Sequence, residues 1–462
     1  MPRRPRAFLA RVGLATAACA LLAAPPASAQ SMLRDTETEA FFQDLAAPLV
    51  KAADLPEKNV DVALLNDPAI NAFVAGGQII YVHSGLLEKA DTAAEVQGVL
   101  AHELGHITGG HIIRYGEGAR AATNISLLSL LAGVGAVLAG AGDAGMAALM
   151  MGQRAAMGKF LAYSRSEEGS ADAAGANFLA KAGISGRGSL GFFEKLAGLE
   201  MRHAVSRDSE MEYVRSHPLT SDRIATLRDT YQQDAAWRKP DDAVMQARFE
   251  RIKAKLIGYL GEPAQTLRRY PETVSTVPAH YARAYAYHRQ ALVGKALVET
   301  QALIAISPDD PYFLELEGQI LLESGRPQEA LGVLKRATAL TNNQPLIATL
   351  YGHALIATED PTNHEEAERV LRAAVARDRY NPFAWRQLGT VYAARGDMSR
   401  ANLASAEQQV MSGDYLRAVR SARTAQAGLA ENTPDWLRAQ DIEMQARSLL
   451  EQQEKAGRRR TG

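Results

Sequence analysis

Cysteine is almost absent from this sequence, because the 462 residues contain only one, Cys19. A lone cysteine excludes an intrachain disulfide framework. Neither sign of charge is in excess, since 51 Lys and Arg residues face 52 Asp and Glu residues and leave a net charge of −1. No global basic field therefore indicates a nucleic-acid partner. The sequence also lacks the Gly-x-Ser-x-Gly turn that presents a serine nucleophile in many hydrolases.

The first 29 residues have the three regions of a secretory signal peptide. Arginines come first, an Ala- and Leu-rich run follows, and the run ends at Ala27-Ser28-Ala29, which fits an A-x-A cleavage pattern. Removal of residues 1–29 takes away four arginines and Cys19, so the rest of the chain has a net charge of −5 and no thiol. The alternative is a lipoprotein modified at Cys19, which is less favoured because Thr16 stands where such signals usually have Leu. The leader predicts export to the periplasm.

The most informative motif is His102-Glu103-Leu104-Gly105-His106, an HExxH pattern within a predicted helix. Residues four apart share a helix face, so His102 and His106 can bind one metal ion together. Glu103 projects beside them, where its carboxylate can take a proton from a metal-activated water. The motif therefore predicts a metallopeptidase in which Glu103 is the general base.

A third metal ligand is needed, and the sequence offers two patterns. The astacin-like pattern requires a histidine six residues after His106, but that position is Ile112, and His111 is one residue off. The other pattern uses a glutamate on a second helix, and Glu168 with Asp172 has the four-residue spacing of one helix face. We expect Glu168 to bind the metal and Asp172 to accept the spare ring N–H of a ligand histidine. His83 and His111 are expected to be surface or structural histidines.

The elements around the motif can be predicted from capping and alternation. Thr36 with Glu39 indicates a helix through about Ala53, and residues 60–65 and 78–83 alternate like strands. Thr92 with Glu95 indicates the start of the motif helix. Residues 121–142 contain no charged side chain, and Asp143 interrupts the apolar stretch before residues 144–151. Glycine content and the interruption favour a hydrophobic helical hairpin that contacts a membrane surface or a partner, with a membrane-spanning helix as the alternative.

The second half of the chain repeats. Gly318, Gly352 and Gly389 lie 34 and 37 residues apart, and residues 385–392 match the W-x2-L-G-x2-Y pattern of a tetratricopeptide repeat. Stacked helix pairs of this kind form a curved solenoid with a continuous core. An array of tetratricopeptide repeats is therefore predicted over residues 279–452.

The paired motifs resemble one known family. Tyr163-Ser164-Arg165-x-x-Glu168-x-x-Ala171-Asp172, after Ala101-His102-Glu103-x-x-His106, is similar to the HtpX and CAAX-prenyl-protease family of zinc metallopeptidases. The branch it resembles most is the periplasmic BepA-type proteases, which join that domain to C-terminal tetratricopeptide repeats. The resemblance covers residues 35–230 by motif and 280–450 by architecture. It implies one zinc ion per chain, held by His102, His106 and Glu168.

The resemblance also implies two further features. Residues 216–224 resemble the family's HP-x4-RI segment, so His217 would be an inhibitory fourth zinc ligand, with a capping or packing histidine as the alternative. Residues 71–83 resemble the family's edge strand, where an extended substrate would pair. The residues assigned to that substrate-binding edge are Gln78, Ile79, Ile80 and Tyr81.

These observations predict a mainly α protein with a gluzincin-type α+β domain, a small sheet and an α-solenoid. The expected divisions are a signal peptide (1–29), a zinc metallopeptidase domain (30–232), a helical linker (233–278), repeats (279–452) and a polar tail (453–462). By resemblance, the protein is a periplasmic zinc endopeptidase in quality control and assembly of outer-membrane proteins, with chaperone activity. Its partners would be stalled outer-membrane clients and, through the repeats, the assembly machinery. The alternatives are a scaffold with a permanently plugged structural zinc site and a membrane-embedded prenyl-type protease.

Overall fold

The computed structural model describes residues 31–56, 59–111, 123–131, 142–203 and 217–461. The predicted signal peptide lies outside these residues. So do parts of the predicted hairpin and the residues just before His217. The statements below concern the described residues.

A four-stranded mixed sheet and a set of helices form the N-terminal domain. The strands are β1 (Ser31–Leu33), β2 (Asp61–Asn66), β3 (Ala72–Ala75) and β4 (Ile79–His83). The helices are α1 (Thr36–Ala52), α2 (Ser84–Lys89), α3 (Ala93–Gly109), α4 (Gly142–Ala182), α5 (Arg187–His203) and α6 (Ser221–Gln233). Capping side chains place the two helix starts predicted from sequence: Thr92 accepts a hydrogen bond from the Glu95 N–H, and Asp35, not Thr36, caps α1.

The sheet order β1-β2-β4-β3 corrects the predicted substrate edge. β4 pairs in parallel with β2 on one side and antiparallel with β3 on the other. Ile79, Ile80 and Tyr81 are therefore in an interior strand, and Gln78 lies in the turn before it. The free edge next to β4 belongs to β3. The local pattern identified both strands, but which strand lies outside depends on pairing with β2, which is distant in sequence.

The helix α3 runs through the middle of the domain core. Its buried side chains pack with aromatic residues from α1 and α5, including Phe41 and Phe192, which are 0% exposed. Two glycines of α3 lie where the backbones of neighbouring helices approach closely. A Cβ on Gly98 would lie 2.4 Å from Ser189 Cα, and a Cβ on Gly105 would lie 2.5 Å from Ala171 O. These glycines let α3 pack directly against α5 and α4.

The segment predicted as a helical linker is part of the domain core. It contains a 3-10 turn (Ala235–Arg238), α7 (Ala243–Leu260) and α8 (Pro263–Arg269). From α7, the residues Phe249, Ile252 and Leu256 belong to the same hydrophobic cluster as Phe41. The helix lies where the sequence predicts one, and it packs both on the peptidase domain and on the following helix Val277–Arg289, since a Cβ on Gly258 would lie 2.6 Å from Ala282 O.

Antiparallel helix pairs follow, as the repeat pattern predicts. They are α9 (Val277–Arg289), α10 (Val293–Ile306), α11 (Pro311–Glu323), α12 (Pro327–Leu340), α13 (Pro345–Ala357), α14 (His364–Arg377), α15 (Pro382–Ala394), α16 (Met398–Met411), α17 (Tyr415–Gly428) and α18 (Pro434–Thr461). The repeat glycines permit close pairing, since a Cβ on Gly318 would lie 2.4 Å from Leu334 and one on Gly352 would lie 2.6 Å from Leu371. A short 3-10 turn (Pro361–Asn363) accounts for the longer second spacing. The predicted polar tail continues α18.

The predicted hydrophobic hairpin is described at both of its arms. Residues 123–131 are helical, and a Cβ on Gly152 of α4 would lie 1.9 Å from Ser129 Cβ, so the two arms touch. Several large apolar side chains of these arms are exposed to solvent, namely Leu127, Leu128, Leu130, Leu131, Met150, Met151, Met157 and Leu161. Among the described helices, none combines the length and the apolar character that crossing a bilayer requires.

Candidate metal centre

Four buried side chains bring their donor atoms together where α3, α4 and the segment before α6 meet. His102 and His106 come from α3, Glu168 comes from α4, and His217 lies four residues before α6 begins. These residues are 2%, 9%, 4% and 6% exposed, in that order. The four-residue spacing of the α3 histidines puts both rings on the face that meets α4, as the motif predicted.

The distances between the donor atoms describe a small polyhedron. His102 Nε2 lies 3.1 Å from His106 Nε2 and 3.4 Å from Glu168 Oε2. His106 Nε2 lies 3.5 Å from Glu168 Oε1. His217 turns its Nδ1 toward the same point, 3.3 Å from His102 Nε2 and 3.0 Å from Glu168 Oε1. One donor atom from each residue lies within 4.8 Å of all the others.

These distances fit a tetrahedral metal site. Donors at about 2.0–2.1 Å from a zinc ion are about 3.3 Å apart in a tetrahedron. Ring nitrogens that direct their lone pairs at one another across 3.1 Å repel, unless a cation or a shared proton lies between them. Imidazole and carboxylate donors together are a set that zinc commonly takes. The donor set and its geometry therefore fit the metal that the HExxH motif predicts.

Asp172 orients His102, as predicted from the spacing. Its Oδ1 accepts a hydrogen bond of 2.9 Å from His102 Nδ1, which directs Nε2 at the metal position. Although burial alone would lower the pKa of His102, hydrogen bonds with Asp172 and Glu168 raise it to about 10 in the metal-free site.

Arg223 joins the carboxylates to the segment that carries His217. Its Nε and Nη2 donate to Asp172 at 2.7 and 2.9 Å, its Nη1 lies 3.0 Å from Glu168 Oε2, and Nη1 also donates to the Pro218 carbonyl at 2.8 Å. Burial opposes ionisation of Asp172, but hydrogen bonds from Arg223 and His102 lower its pKa. From sequence alone, Arg223 belongs to the HP-x4-RI segment but has no assigned role. Its fixed spacing of six residues from His217 is the sequence feature that could have indicated a role beside the metal centre.

Glu103 lies beside the donor cluster and is fully buried. Burial raises the pKa of its carboxyl, which is the direction a general base needs to work near neutral pH. Among the described residues, neither of its carboxylate oxygens has a hydrogen-bond partner, and Oε1 lies 3.6 Å from His217 Nε2. A buried carboxylate without a hydrogen bond is costly, so the site is built for a group that the protein itself does not supply.

His106 has an imidazole as its outer partner. Its Nδ1 lies 2.8 Å from the Nδ1 of His111, a residue that the sequence placed among surface or structural histidines. His111 is 6% exposed and reaches Ser170 on α4. Burial and the charge of His102 lower the pKa of His106 to about 2, so this ring is neutral and available as a ligand. His83, in contrast, is buried at the end of β4 and does not belong to the cluster of donor atoms.

Comparisons with known proteins agree with this site. The sequence profile of peptidase family M48 matches residues 33–231. The β-barrel assembly-enhancing protease of Escherichia coli (strain K12) is 25% identical over 398 residues, which cover 84% of this chain and 78% of that protein. Its namesake from Yersinia pestis is 24% identical, with 82% and 77% covered. The metalloprotease LoiP of Escherichia coli (strain K12) is 32% identical over 170 residues, or 36% of this chain and 60% of that protein.

Among solved structures, YrrB, described as a tetratricopeptide repeat protein with an unusual peptide-binding site, is 20% identical. Its TM-score is 0.32, and the likeness covers 38% of this chain and 92% of that one. A superposition this loose supports no argument, and the helical repeats are seen in the structure of this chain itself. The profile match includes α3, α4 and His217, and therefore all four donors and Glu103. Residues 33–231 are therefore a domain of peptidase family M48, and the protein is a metalloprotease.

Proposed function

We propose that the protein is a zinc-dependent endopeptidase of the bacterial periplasm that acts in assembly and quality control of outer-membrane β-barrel proteins. The observation that carries the catalytic part is the donor cluster of His102, His106 and Glu168 beside the buried Glu103. The biological part is supported by the names of the relatives that align over most of the chain. The predicted signal peptide supports export.

In the proposed mechanism, His102, His106 and Glu168 hold the zinc ion, and Asp172 holds His102 in the required tautomer. Zinc, when bound, supplies a Lewis acid for the attacking water and for the peptide carbonyl. Glu103 accepts the proton that the water loses and delivers it to the amine of the leaving peptide. The burial of Glu103 excludes bulk water from this proton transfer.

We propose that His217 closes this site as an inhibitory fourth ligand. Its Nδ1 occupies the fourth vertex of the donor cluster, where a catalytic zinc site needs an open position. We propose that this is the resting state and that the segment before α6 moves away before hydrolysis. A permanently closed site would instead make the protein a scaffold, which is the competing function.

Proteolysis of an unfolded substrate separates these two functions. We expect the purified chain to bind one zinc ion, His217→Ala to cleave casein faster than the wild type, and Glu103→Gln to cleave none while keeping its zinc. Glu168→Gln should lose the metal, whereas its neighbour Glu167→Gln should keep both metal and activity. If His217→Ala and the wild type are both inactive with zinc bound, the scaffold function is correct.

We propose β3, rather than β4, as the strand that binds the substrate. The His83 N–H donates to the Asn71 carbonyl, and in an antiparallel ladder such pairs alternate, so Ala72 and Val74 direct their backbone groups to the free edge. An extended peptide can pair there by strand addition. Val74→Pro removes an outward N–H and should raise KM for casein at unchanged zinc affinity, whereas an unchanged KM would exclude β3.

The exposed hairpin is proposed to contact an anionic membrane surface. Leu128 and Met151 are each 67% exposed, and the charged residues between Asp143 and Glu167 are all basic, namely Arg154, Lys159 and Arg165. Flotation with vesicles containing phosphatidylglycerol should carry the protein, and Leu128→Ser with Met151→Ser should abolish this. Met398→Ser, which removes a 57% exposed methionine from the repeats, is the control. Equal flotation of all variants would exclude the hairpin.

The repeats are proposed to dock on clients and on the outer-membrane assembly machinery. In a bacterium that lacks the chain's gene, the wild type should restore the amounts of β-barrel proteins, and Glu103→Gln should restore only what a chaperone role contributes. A chain without the repeats should fail even with an active peptidase domain. N-terminal sequencing of the periplasmic protein should begin at Gln30, and a start at Cys19 would indicate the lipoprotein.

A further inference from the structure

A chain of hydrogen bonds leads away from the metal centre through His111. His106 Nδ1 and His111 Nδ1 are 2.8 Å apart, and His111 Nε2 lies 2.9 Å from Ser170 Oγ. Ser170 Oγ in turn donates to the carbonyl of Glu167 at 3.0 Å. The chain therefore starts at one proposed ligand, His106, and ends on the backbone next to another, Glu168.

The two ends of this chain fix its direction. At one end, His106 must present an Nε2 lone pair to the metal, so its hydrogen is on Nδ1 and is donated to His111. At the other end, the Glu167 carbonyl can only accept, so the hydroxyl hydrogen of Ser170 points to it. His111 between them then accepts through Nδ1 and donates from Nε2 to Ser170 Oγ. The hydrogen bonds of the chain thus run in one direction, from His106 to the Glu167 carbonyl.

Two glycines bring His111 into this position. Gly110 ends α3 in the left-handed conformation, with φ of 65°, and so turns the chain back. The His111 ring then lies over Gly109, where a Cβ would be 2.3 Å from its Nε2 and 2.7 Å from its Cε1. His111 thus reaches back five residues to His106 only because position 109 has no side chain.

We propose that His111 is a positioning residue that fixes the tautomer and ring orientation of His106, with Ser170 and Gly109 as its supports. This proposal rests on the proposed metal site. His102 is oriented by the carboxylate of Asp172, whereas His106 is oriented by a neutral imidazole, so the two ligand histidines depend on different outer partners. Removal of such an outer partner typically lowers metal affinity 10–100-fold.

The test compares two side chains of the same shape, Asn and Leu, of which only Asn has a hydrogen-bond acceptor. In His111→Asn, Oδ1 stands near the place of Nδ1 and can accept from His106, whereas His111→Leu has similar bulk and no acceptor. We expect about 10–100-fold weaker zinc binding for His111→Leu by chelator competition, and near-wild-type binding for His111→Asn. The visible absorption of the Co²⁺-substituted protein should change in His111→Leu and be restored in His111→Asn.

Gly109→Ala provides an independent test, because it keeps His111 but displaces its ring. It should weaken zinc binding as much as His111→Leu, while Gly191→Ala, at a helix position with nothing within 4 Å, should not. Thermal unfolding of the metal-free proteins checks that all variants fold. Wild-type affinity in both His111→Leu and Gly109→Ala would overturn the role of His111. Failure of the wild type to bind zinc would instead overturn the proposed function.

Discussion

Gly105, inside the HExxH motif, is predicted to be as necessary for the metal as the ligands themselves. A Cβ at this position would lie 2.5 Å from the carbonyl oxygen and 2.8 Å from the Cα of Ala171. Ala171 is on α4 between Glu168 and Asp172, so the side chain would push on backbone and not on a flexible group. Comfortable contact needs about 3.5 Å, so Gly105→Ala must separate α3 from α4 by about 1 Å.

That displacement is large for a metal site. Donor positions must hold to within about 0.2 Å, so a shift of Glu168 by about 1 Å should destroy the three-donor set. A misplacement of this size typically costs about 100-fold in rate, and overpacking a core costs about 1–3 kcal/mol of stability. We therefore expect Gly105→Ala to fold, to lose zinc to a chelator at far lower concentration than the wild type, and to show at least about 100-fold lower kcat/KM on casein.

Gly169→Ala is the matched control. Gly169 is next to Glu168 on the same helix, but a Cβ there has nothing within 4 Å. Alanine should even stabilise the helix there by up to about 1 kcal/mol, with unchanged metal binding. Zinc content after chelator titration, circular dichroism and casein hydrolysis are measured on both variants and the wild type. If Gly105→Ala binds zinc and cleaves casein like the wild type, the close packing of α3 on α4 does not position the ligand.

Three further predictions concern the junction between the peptidase domain and the repeats. Burial raises the pKa of Glu315 in α11 to about 8, so near neutral pH the folded protein keeps a proton that the unfolded chain releases. The free energy of unfolding should therefore fall as the pH rises toward 8. In urea unfolding at pH 5 and 8.5, Glu315→Gln should show a smaller fall in this free energy than the wild type, and an equal fall would exclude Glu315 as its source. Asp310→Asn keeps the side-chain cap of α11 but loses the carboxylate that pairs with Arg251 at 2.6 and 2.9 Å. It should lower the free energy of unfolding by about 1.5–3 kcal/mol in denaturant. An unchanged free energy of unfolding would show that this ion pair contributes nothing to stability. Phe249→Ala should cost about 3–5 kcal/mol in the same assay, because this 1% exposed ring packs against Phe41 in the peptidase core. A loss below about 1 kcal/mol would show that this contact does not stabilise the domain.

Local sequence was sufficient for the features that one helix or one short segment determines. The spacing of His102 and His106, and of Glu168 and Asp172, already implies which side chains share a face, and the structure brings these faces together. The helix pairs of the repeats follow from the glycine spacing, because each pair contacts mainly its neighbours.

Features that depend on distant pairing could not be predicted. The position of β4 inside the sheet depends on β2, and the packing of α7 depends on Phe41, two hundred residues away in the chain. His111 was missed for a different reason. Its role follows from the left-handed Gly110, and a glycine pair in a sequence indicates a turn without indicating where the next side chain will lie.

The contacts of the metal centre converge on α4. This helix supplies Glu168 as a donor, Asp172 as the partner of His102, and Ser170 as the hydrogen-bond partner of His111. Arg223 connects the same carboxylates to the Pro218 carbonyl, next to His217. Relative movement of α3 and α4 would therefore disturb both ligand histidines and the segment that closes the site at once.

The same helix begins in the exposed hairpin. α4 is continuous from Gly142 to Ala182, so Met151 and Glu168 are seventeen residues apart on one helix, about 25 Å along its axis. Its contacts are uneven, because Ala171 and Gly175 pack on the α3 backbone while Met151 and Met157 face solvent. A load applied at the hairpin, by a membrane surface or by a client, would therefore act on the same helix that supplies Glu168 to the metal centre.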